Sequence, residues 1–320
     1  GMTGSAIADA SGIGLMEIDQ MKKEGYDAEF SCAIIAASAT VGPIFPPSIP
    51  MVIYAMLSGA SIGKLFMGGM VPGVLLAILL MIYVAFISHK RNYPAGVVMS
   101  KREFLKATLQ ALPALFTVVI LLGGIYSGIC TPTEAGAVAS AYALIISALI
   151  YKTLGWKKLW GIIKKSAANT ATLALLCGTS MLFSYIISLE QVPRVVASLV
   201  MGITDNKYIF LFIVNIVFLL LGCVLDVSTI QLVFVPMVLP LVQAMGIDLV
   251  HFGVVICLNM MIGLSTPPFG MLLFIVSGLG KTKIKGVIRE ILPMVLIMIG
   301  LLFLVTYVPD IIMFVHNNFM

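Results

Sequence analysis

Two short stretches of this 320-residue chain hold the residue types that could do chemistry, and they would do it with main-chain atoms. One is GPIFPPS at residues 42–48, the other GLSTPPFG at residues 263–270. Pro43, Pro46, Pro47 and Pro50 remove four amide donors and clash with the preceding turn, so a helix running through them must break. The carbonyls freed by such a break suit a hard cation such as Na⁺. The N–H groups that open the next half-helix present partial positive charge to an anion. Ser48, Ser265 and Thr266 add hydroxyls within these stretches, and Ser5 and Thr229 would add more from the segments expected to converge on them. A pocket of this kind can hold a carboxylate without a buried arginine.

The elements that must position these stretches are membrane helices. Hydrophobic residues make up 60% of the chain and charged residues 10%, which places it in the polytopic membrane class. Its length accommodates about eight to ten spans of roughly 20 residues. Each proline stretch interrupts an apolar run, residues 28–58 and 250–277, and each run is long enough to cross a bilayer as one helix. In hydrocarbon, broken backbone survives only where it is buried in protein or lines a polar cavity. Two interrupted spans therefore predict a site at membrane depth, as in secondary transporters. No Lys or Arg falls inside any span, where a full charge would cost about 3 kcal/mol or more.

Further spans are expected at 71–88, 109–126, 135–151, 169–188 and 291–308, with a helical hairpin at 208–221 and 227–242. Residues 58–69 read as a Gly-rich loop. The stretch with Lys152, Trp156, Lys157, Lys158, Trp160, Lys164 and Lys165 reads as an interfacial helix. If the loop at Lys22 and Lys23 is cytoplasmic, all but Lys64, Arg194 and Lys207 of the 19 Lys and Arg fall on that side, and the C-terminal HNNFM is external. The net charge of +5 carries no nucleic-acid signature, because no basic patch is interleaved with aromatics. Five scattered cysteines with no paired spacing read as packing residues.

At a constant offset of 221 the backbone-special residues coincide: Gly1 with Gly222, Gly25 with Gly246, Asp27 with Asp248, Gly42 with Gly263. Pro46 and Pro47 meet Pro267 and Pro268, Gly59 meets Gly280 and Pro72 meets Pro293. The charge map runs the first interrupted span outward and the second inward, so the pair reads as an inverted repeat. The expected fold is an all-α polytopic membrane protein with inverted repeats, helical hairpins and two discontinuous helices. The hairpin arm equivalent to residues 208–221 would lie before Gly1. This predicts a truncated or processed chain, or one whose remaining portion is supplied separately.

Four elements should therefore converge: the tips GMTGS (residues 1–5) and GCVLDVST (222–229), and the two breaks. Some residues nearby have plainer readings. Asp226 either caps the following arm, with Thr229 at its third position, or meets substrate. Asp9 packs between helices or faces the cavity. Glu134 closes a capping box with Thr131 and Pro132. Asp27 and Asp248 are N-caps, and His251 is a packing histidine. The Gly12–Gly14 pair has neither the preceding strand nor the acidic partner of a nucleotide motif.

The motifs GSAIAD, GPIFPPSIPMVIYA, YSGICTPTEAGAV, GIDLVHFGVV and IGLSTPPFG, in this order, closely resemble the large membrane subunit of TRAP (tripartite ATP-independent periplasmic) transporters. The resemblance runs from Gly1 to about Asp310. It implies an elevator-type, Na⁺-coupled importer of an organic acid in the bacterial inner membrane, a sialic-acid-like sugar acid or a C4-dicarboxylate. It also implies a small membrane subunit (Q type), a periplasmic substrate-binding protein (P type), and no cofactor beyond Na⁺ as coupling ion. By the same resemblance, Thr3, Ser5, Gly42, Phe45 and Pro47 form one Na⁺ site, and Gly222, Gly263, Thr266 and Met271 a second. Gly4, Ser48, Asp226, Ser228, Thr229, Pro267 and Pro268 would face substrate. Residues 1–70 and 169–280, with the hairpin at 207–242 and the discontinuous helix at 248–278, would form the transport domain. Residues 71–168 and 281–320 would form scaffold and connectors.

Three other functions fit less well. A stand-alone carboxylate transporter would share this architecture. An intramembrane hydrolase needs HExxH, a serine with a base, or facing aspartates, and three histidines without a metal-spaced partner do not supply them. A channel would not call for asymmetric, mirrored breaks.

Overall fold

A computed structural model of the chain describes residues 4–94, 100–204 and 206–319, and these form helices and turns without a strand. The first five helices are α1 (Ala6–Ser11), α2 (Ile13–Lys23), α3 (Ala28–Ala39), α4 (Ile49–Ser58) and α5 (Ile62–Lys90). Then come α6 (Lys101–Tyr126), α7 (Pro132–Leu149), α8 (Trp156–Leu189) and α9 (Val192–Ile203). The last six are α10 (Lys207–Val224), α11 (Val227–Ala244), α12 (Leu249–Leu264), α13 (Met271–Gly280), α14 (Ile284–Tyr307) and α15 (Asp310–Phe319). Seven helices among the described residues are long and apolar enough to span a bilayer, and α3, α4, α12 and α13 are shorter apolar pieces. The chain is a multi-pass membrane protein.

Both expected interruptions are present. α3 ends at Ala39 and α4 begins at Ile49; α12 ends at Leu264 and α13 begins at Met271. The Pro46–Pro47 and Pro267–Pro268 bonds, one in each break, are cis. Several boundaries differ from the sequence reading. The Gly-rich loop is shorter than expected, because Ile62 onward is already α5 and Ser61 caps it. The basic stretches at residues 101–106 and 285–289 belong to α6 and α14, since Lys and Arg propagate a helix as readily as they solvate a loop. The lysine- and tryptophan-rich segment and the next span are one 34-residue helix, α8, without a break between them. The turn of the second hairpin falls at Leu225 and Asp226; Gly222 lies inside α10. Residues 6–23 are two helices broken at Gly12. The amphipathic helices α9 and α15 were not anticipated.

Two compact units divide the chain. The first comprises residues 1–95 and 182–320 and is built around α12, every residue of which from Val250 to Leu264 is buried. A helix apolar all round needs neighbours on every side, and α10, α14, α5, α4 and α11 supply them. Tyr54 of α4 is fully buried there and donates to the Leu249 carbonyl at 2.8 Å. α3 is held in the same way by α14, α13, α2, α1 and α5.

At one end of this unit Arg91, just past α5, donates to Asp27 at 3.3 Å and to Glu290 of α14 at 2.7 Å, and lies 5.0 Å from the Phe30 ring centre. Its bond to the Tyr93 hydroxyl, with Glu290 beside it, raises the guanidinium above its ordinary pKa. Tyr93 in turn donates to Asp27. Asp27 occupies the N-cap position of α3 but makes no side-chain cap bond, because Arg91 and Tyr93 claim its carboxylate. Asp248 does cap α12, accepting from Val250 and His251 at 2.8 and 2.9 Å.

The second unit, residues 96–181, is organised by the α6–α7 pair. Capping boxes Ser100/Glu103 and Thr131/Glu134 start both helices, as read for Glu134. Tyr142 of α7 and Tyr151, two residues past its end, donate to the Pro113 and Gln110 carbonyls of α6 at 3.1 and 2.7 Å. No described residue of α6 is buried.

The α4–α12 seam gives a direct prediction. Tyr54→Phe, which removes one buried hydroxyl, should lower stability by about 1 kcal/mol. Tyr54→Ala, which also empties the ring's volume, should lower it by about 3–5 kcal/mol. Thermal unfolding of the purified protein in detergent measures both, and equal effects would place the ring outside the core.

Candidate functional site

The first break is short of partners by composition, since its prolines supply carbonyls but no amides. The chain meets that shortage locally. Ile44 and Phe45 donate back to the Val41 carbonyl at 3.0 and 2.9 Å, and the Ser48 hydroxyl donates to the Pro43 carbonyl. Ser48, buried, also caps α4 by accepting from Met51 at 3.2 Å. The Pro47 carbonyl is left facing Gly4. An added Cβ at Gly4 would stand 2.8 Å from that oxygen and 3.2 Å from the Ile49 nitrogen, and its φ of +67° is a second reason for glycine. The Gly4 carbonyl accepts from Ile49 at 3.4 Å, and Ser5 caps α1 by accepting from Ala8 at 3.4 Å.

The first tip and first break therefore meet at Gly4, Ser5, Pro47 and Ser48. Gly42 is buried within the break, while the main chain of Phe45 lies against Gly73 of α5. Thr3 lies outside the described residues, as do Gly1 and Met2.

The second break follows the same logic with different residues. After α12 the Ile262 carbonyl accepts from the Ser265 amide, the Ser265 hydroxyl and the Thr266 hydroxyl, at 3.0, 3.0 and 2.7 Å. With its proton given to Ile262, the Thr266 oxygen can present only lone pairs to anything else. The Thr266 amide donates to the Gly263 carbonyl at 2.9 Å. The hairpin reaches this break through backbone contact: a Cβ on Gly263 would lie 2.7 Å from both Cα and the carbonyl carbon of Gly222. Helices approach this closely in membranes only where both lack side chains.

Met271 opens α13, partly exposed, and the N-cap position Gly270 makes no side-chain bond to the first turn. Pro267 is half-buried and Pro268 exposed. At the hairpin tip Asp226 caps α11, accepting from Ser228 at 2.9 Å, and Thr229 is half-buried one position on. The capping role left open for Asp226 in the sequence is thus occupied.

α1 packs along α13, the half-helix that follows the second break, and α11, the second arm of the hairpin, packs along α4, which follows the first. Among the described residues no cluster of His, Cys, Asp and Glu could hold a metal, and all five cysteines are free. His251 is buried with Nε2 3.1 Å from the Val305 carbonyl, a packing bond between α12 and α14. The groove of about 520 Å³ between α3, α5 and α14 lies beside the first break and, Ser38 apart, is lined by apolar residues.

Sequence reasoning missed a set of uncharged polar residues inside the helices: Asn215, Gln231, Asn259 and Thr306, all buried. It weighed charges and hydroxyls near the breaks. The available signal was an amide side chain in the middle of an apolar run, which is expensive in hydrocarbon unless it has partners.

The glycine contact predicts that Gly263→Ala pushes α10 from α12, lowering stability by about 2 kcal/mol. Gly278→Ala, where a Cβ meets nothing within 4 Å, should be neutral in the same thermal measurement.

Residues 1–311 match the family model for the tripartite ATP-independent periplasmic transporter, DctM component. The chain is 41% identical over 310 residues to the sialic acid TRAP transporter large permease protein SiaM of Vibrio cholerae, covering 97% of this chain and 73% of that one. It is 39% identical over 317 residues to the sialic acid TRAP transporter permease protein SiaT of Haemophilus influenzae, covering 99% of this chain but 52% of that one. It is 37% identical over 308 residues to the C4-dicarboxylate TRAP transporter large permease protein DctM of Pseudomonas aeruginosa, covering 96% and 72%. The chain thus spans between about half and three quarters of the length of these relatives. A match across nearly the whole chain, with relatives that are permeases and not enzymes, identifies it as a member of the DctM family of TRAP transporter large permeases.

Proposed function

We propose that this protein carries an organic acid inward across a bacterial inner membrane together with Na⁺. The observation that carries the reading is the backbone-to-backbone meeting of a hairpin and a helix break at Gly222 and Gly263. It sets main-chain oxygens of Leu219 and Met260 close to the glycine pair, and with the acceptor-only Thr266 three residues after Gly263 it supports a hard cation held without a carboxylate. The matching contact of Gly4 with Pro47 supports a first Na⁺ site with Ser5, Gly42 and Phe45. Gly222, Gly263, Thr266 and Met271 would form the second. The start of α13, without a side-chain cap, offers N–H groups to a substrate carboxylate. Ser48, Asp226, Ser228, Thr229, Pro267 and Pro268 would line the same space.

An inverted repeat fits the element boundaries. Shifted by 221 residues, α3 (Ala28–Ala39) begins where α12 (Leu249–Leu264) begins, and α4 and α5 start within one residue of α13 and α14. The packing is reciprocal as well: α3 with α14 and α5 with α12, α3 with α13 and α4 with α12. Such pseudo-symmetry supports two alternating orientations around one site, and an elevator movement is the form we assign to it. Residues 1–70 and 169–280 would be its moving part. A small membrane subunit and a periplasmic binding protein would complete the system. The relatives named for sialic acid and for C4-dicarboxylates make a sugar acid or a dicarboxylate the substrate class to test.

Uptake of such acids into proteoliposomes, with and without binding protein, should require an inward Na⁺ gradient. Uptake driven equally by K⁺ would refute the coupling. Thr266→Ala should raise the half-saturating Na⁺ concentration about tenfold, the equivalent of about 1.4 kcal/mol. An unchanged Na⁺ response would remove that residue from the site. Pro47→Ala, which lets α3 and α4 join, should slow uptake severely, and unaltered uptake would tell against the break as a working element.

A further inference from the structure

We infer that Asn259, Asn215 and Thr306 are positioning residues for the second Na⁺ site. They form a one-way hydrogen-bond chain that sets the register of α10 on α12, one turn before the Gly222–Gly263 contact along α12 and two turns before it along α10. The inference rests on the Na⁺ reading of that contact. Asn259 Nδ2 donates to the main-chain oxygen of Asn215 at 2.8 Å and to its Oδ1 at 3.0 Å. Asn215 Nδ2 donates to Thr306 Oγ1 at 2.9 Å, and Thr306 donates to the Leu302 carbonyl at 2.7 Å. All three residues are at most 2% exposed.

The direction of the chain is dictated from its α14 end. A carbonyl can only accept, so the Thr306 proton goes to Leu302 and its oxygen must receive from Asn215. Asn215 then turns its own oxygen toward Asn259, and Asn259 must offer its amide nitrogen. Neither asparagine can flip without setting acceptor against acceptor. Asn259 Oδ1 is the leftover, buried without a hydrogen-bond partner. Leaving a polar oxygen bare in an apolar interior is unfavourable, which marks the remaining bonds as worth that penalty.

Helical spacing connects this chain to the site. Asn259 and Gly263 lie four residues apart on one face of α12, and Asn215 and Gly222 seven apart on one face of α10. The amide pair and the glycine pair are thus successive rungs of one seam. The glycines permit close approach but give no register, because bare backbone can slide. The amides supply it, since their donors and acceptors match in one position only. Thr306 anchors the pair to α14 and so transmits register to Gly222, Gly263 and Thr266 without touching the ion.

The test is a Na⁺ titration of thermal stability for the full-length permease in nanodiscs, at constant ionic strength with KCl as replacement. Binding to the folded state alone raises Tm with ion concentration. Thr306→Val keeps shape but loses the acceptor, and should move the Na⁺ midpoint up about fivefold. Thr306→Ser should hold within twofold of the unaltered protein, and Thr266→Ala should move it as a lost ligand does. If Thr266→Ala shifts the midpoint while Thr306→Val only lowers Tm without Na⁺, the chain is ordinary packing and the inference is overturned alone. If the unaltered protein responds to Na⁺ and K⁺ alike, the Na⁺ reading fails and takes the inference with it. Should Thr306→Val not purify, Asn215→Ser replaces it with the same expectation.

Discussion

Main-chain polar groups cannot face hydrocarbon unsatisfied, and prolines deny a membrane helix the means of satisfying them. The rest of the first unit follows from that constraint. Where α3 and α12 stop, carbonyls and amide-poor turns must be enclosed, and the enclosure comes from neighbouring elements: the turn at Gly4 against the first break, α10 at Gly222 against the second, and α11 and α1 along the half-helices α4 and α13. The result concentrates backbone dipoles at a depth where side-chain charges are too costly to place.

The two breaks solve the same shortage with different groups. In the first, Ser48 serves both sides of the gap, closing back on Pro43 and forward on Met51. In the second, Ser265 and Thr266 both donate to Ile262, and the hairpin comes in through bare glycine backbone. A hydroxyl that has donated its proton to a carbonyl is an acceptor only, so Thr266 is prepared for a cation and unsuited to an anion. The N–H groups at the start of α13 have the opposite character. One short segment thus carries an acceptor-only hydroxyl beside a donor-only helix start, the pair of complementary surfaces that the proposed coupling of ion and acid requires.

Much of this was readable because proline and glycine act locally. The breaks, the hairpin and the correspondences at offset 221 depend on residues whose backbone behaviour hardly varies with context, and the Thr131/Glu134 box and Asp248 cap formed as their types dictate. Where tertiary partners decide, the sequence was a poorer guide. Asp27 has a cap's position, but Arg91 and Tyr93, distant in sequence, take its carboxylate. Gly222 looks like a turn residue, yet its purpose is close packing against Gly263, and the turn comes three residues later. The lysines of α8 and α14 reveal water or headgroup at a helix end but say nothing about where the helix stops. The buried amides of Asn215 and Asn259 make sense only when the helices carrying them are seen side by side.

The most direct test of the central claim is to see the ion. An anomalous-difference map of the protein with Tl⁺ in place of Na⁺ should place peaks within coordination distance of the Gly263 carbonyl and Thr266 Oγ1, and of the Pro47 carbonyl at the first break. Peaks confined to the exposed carboxylates, with both breaks empty, would contradict the account.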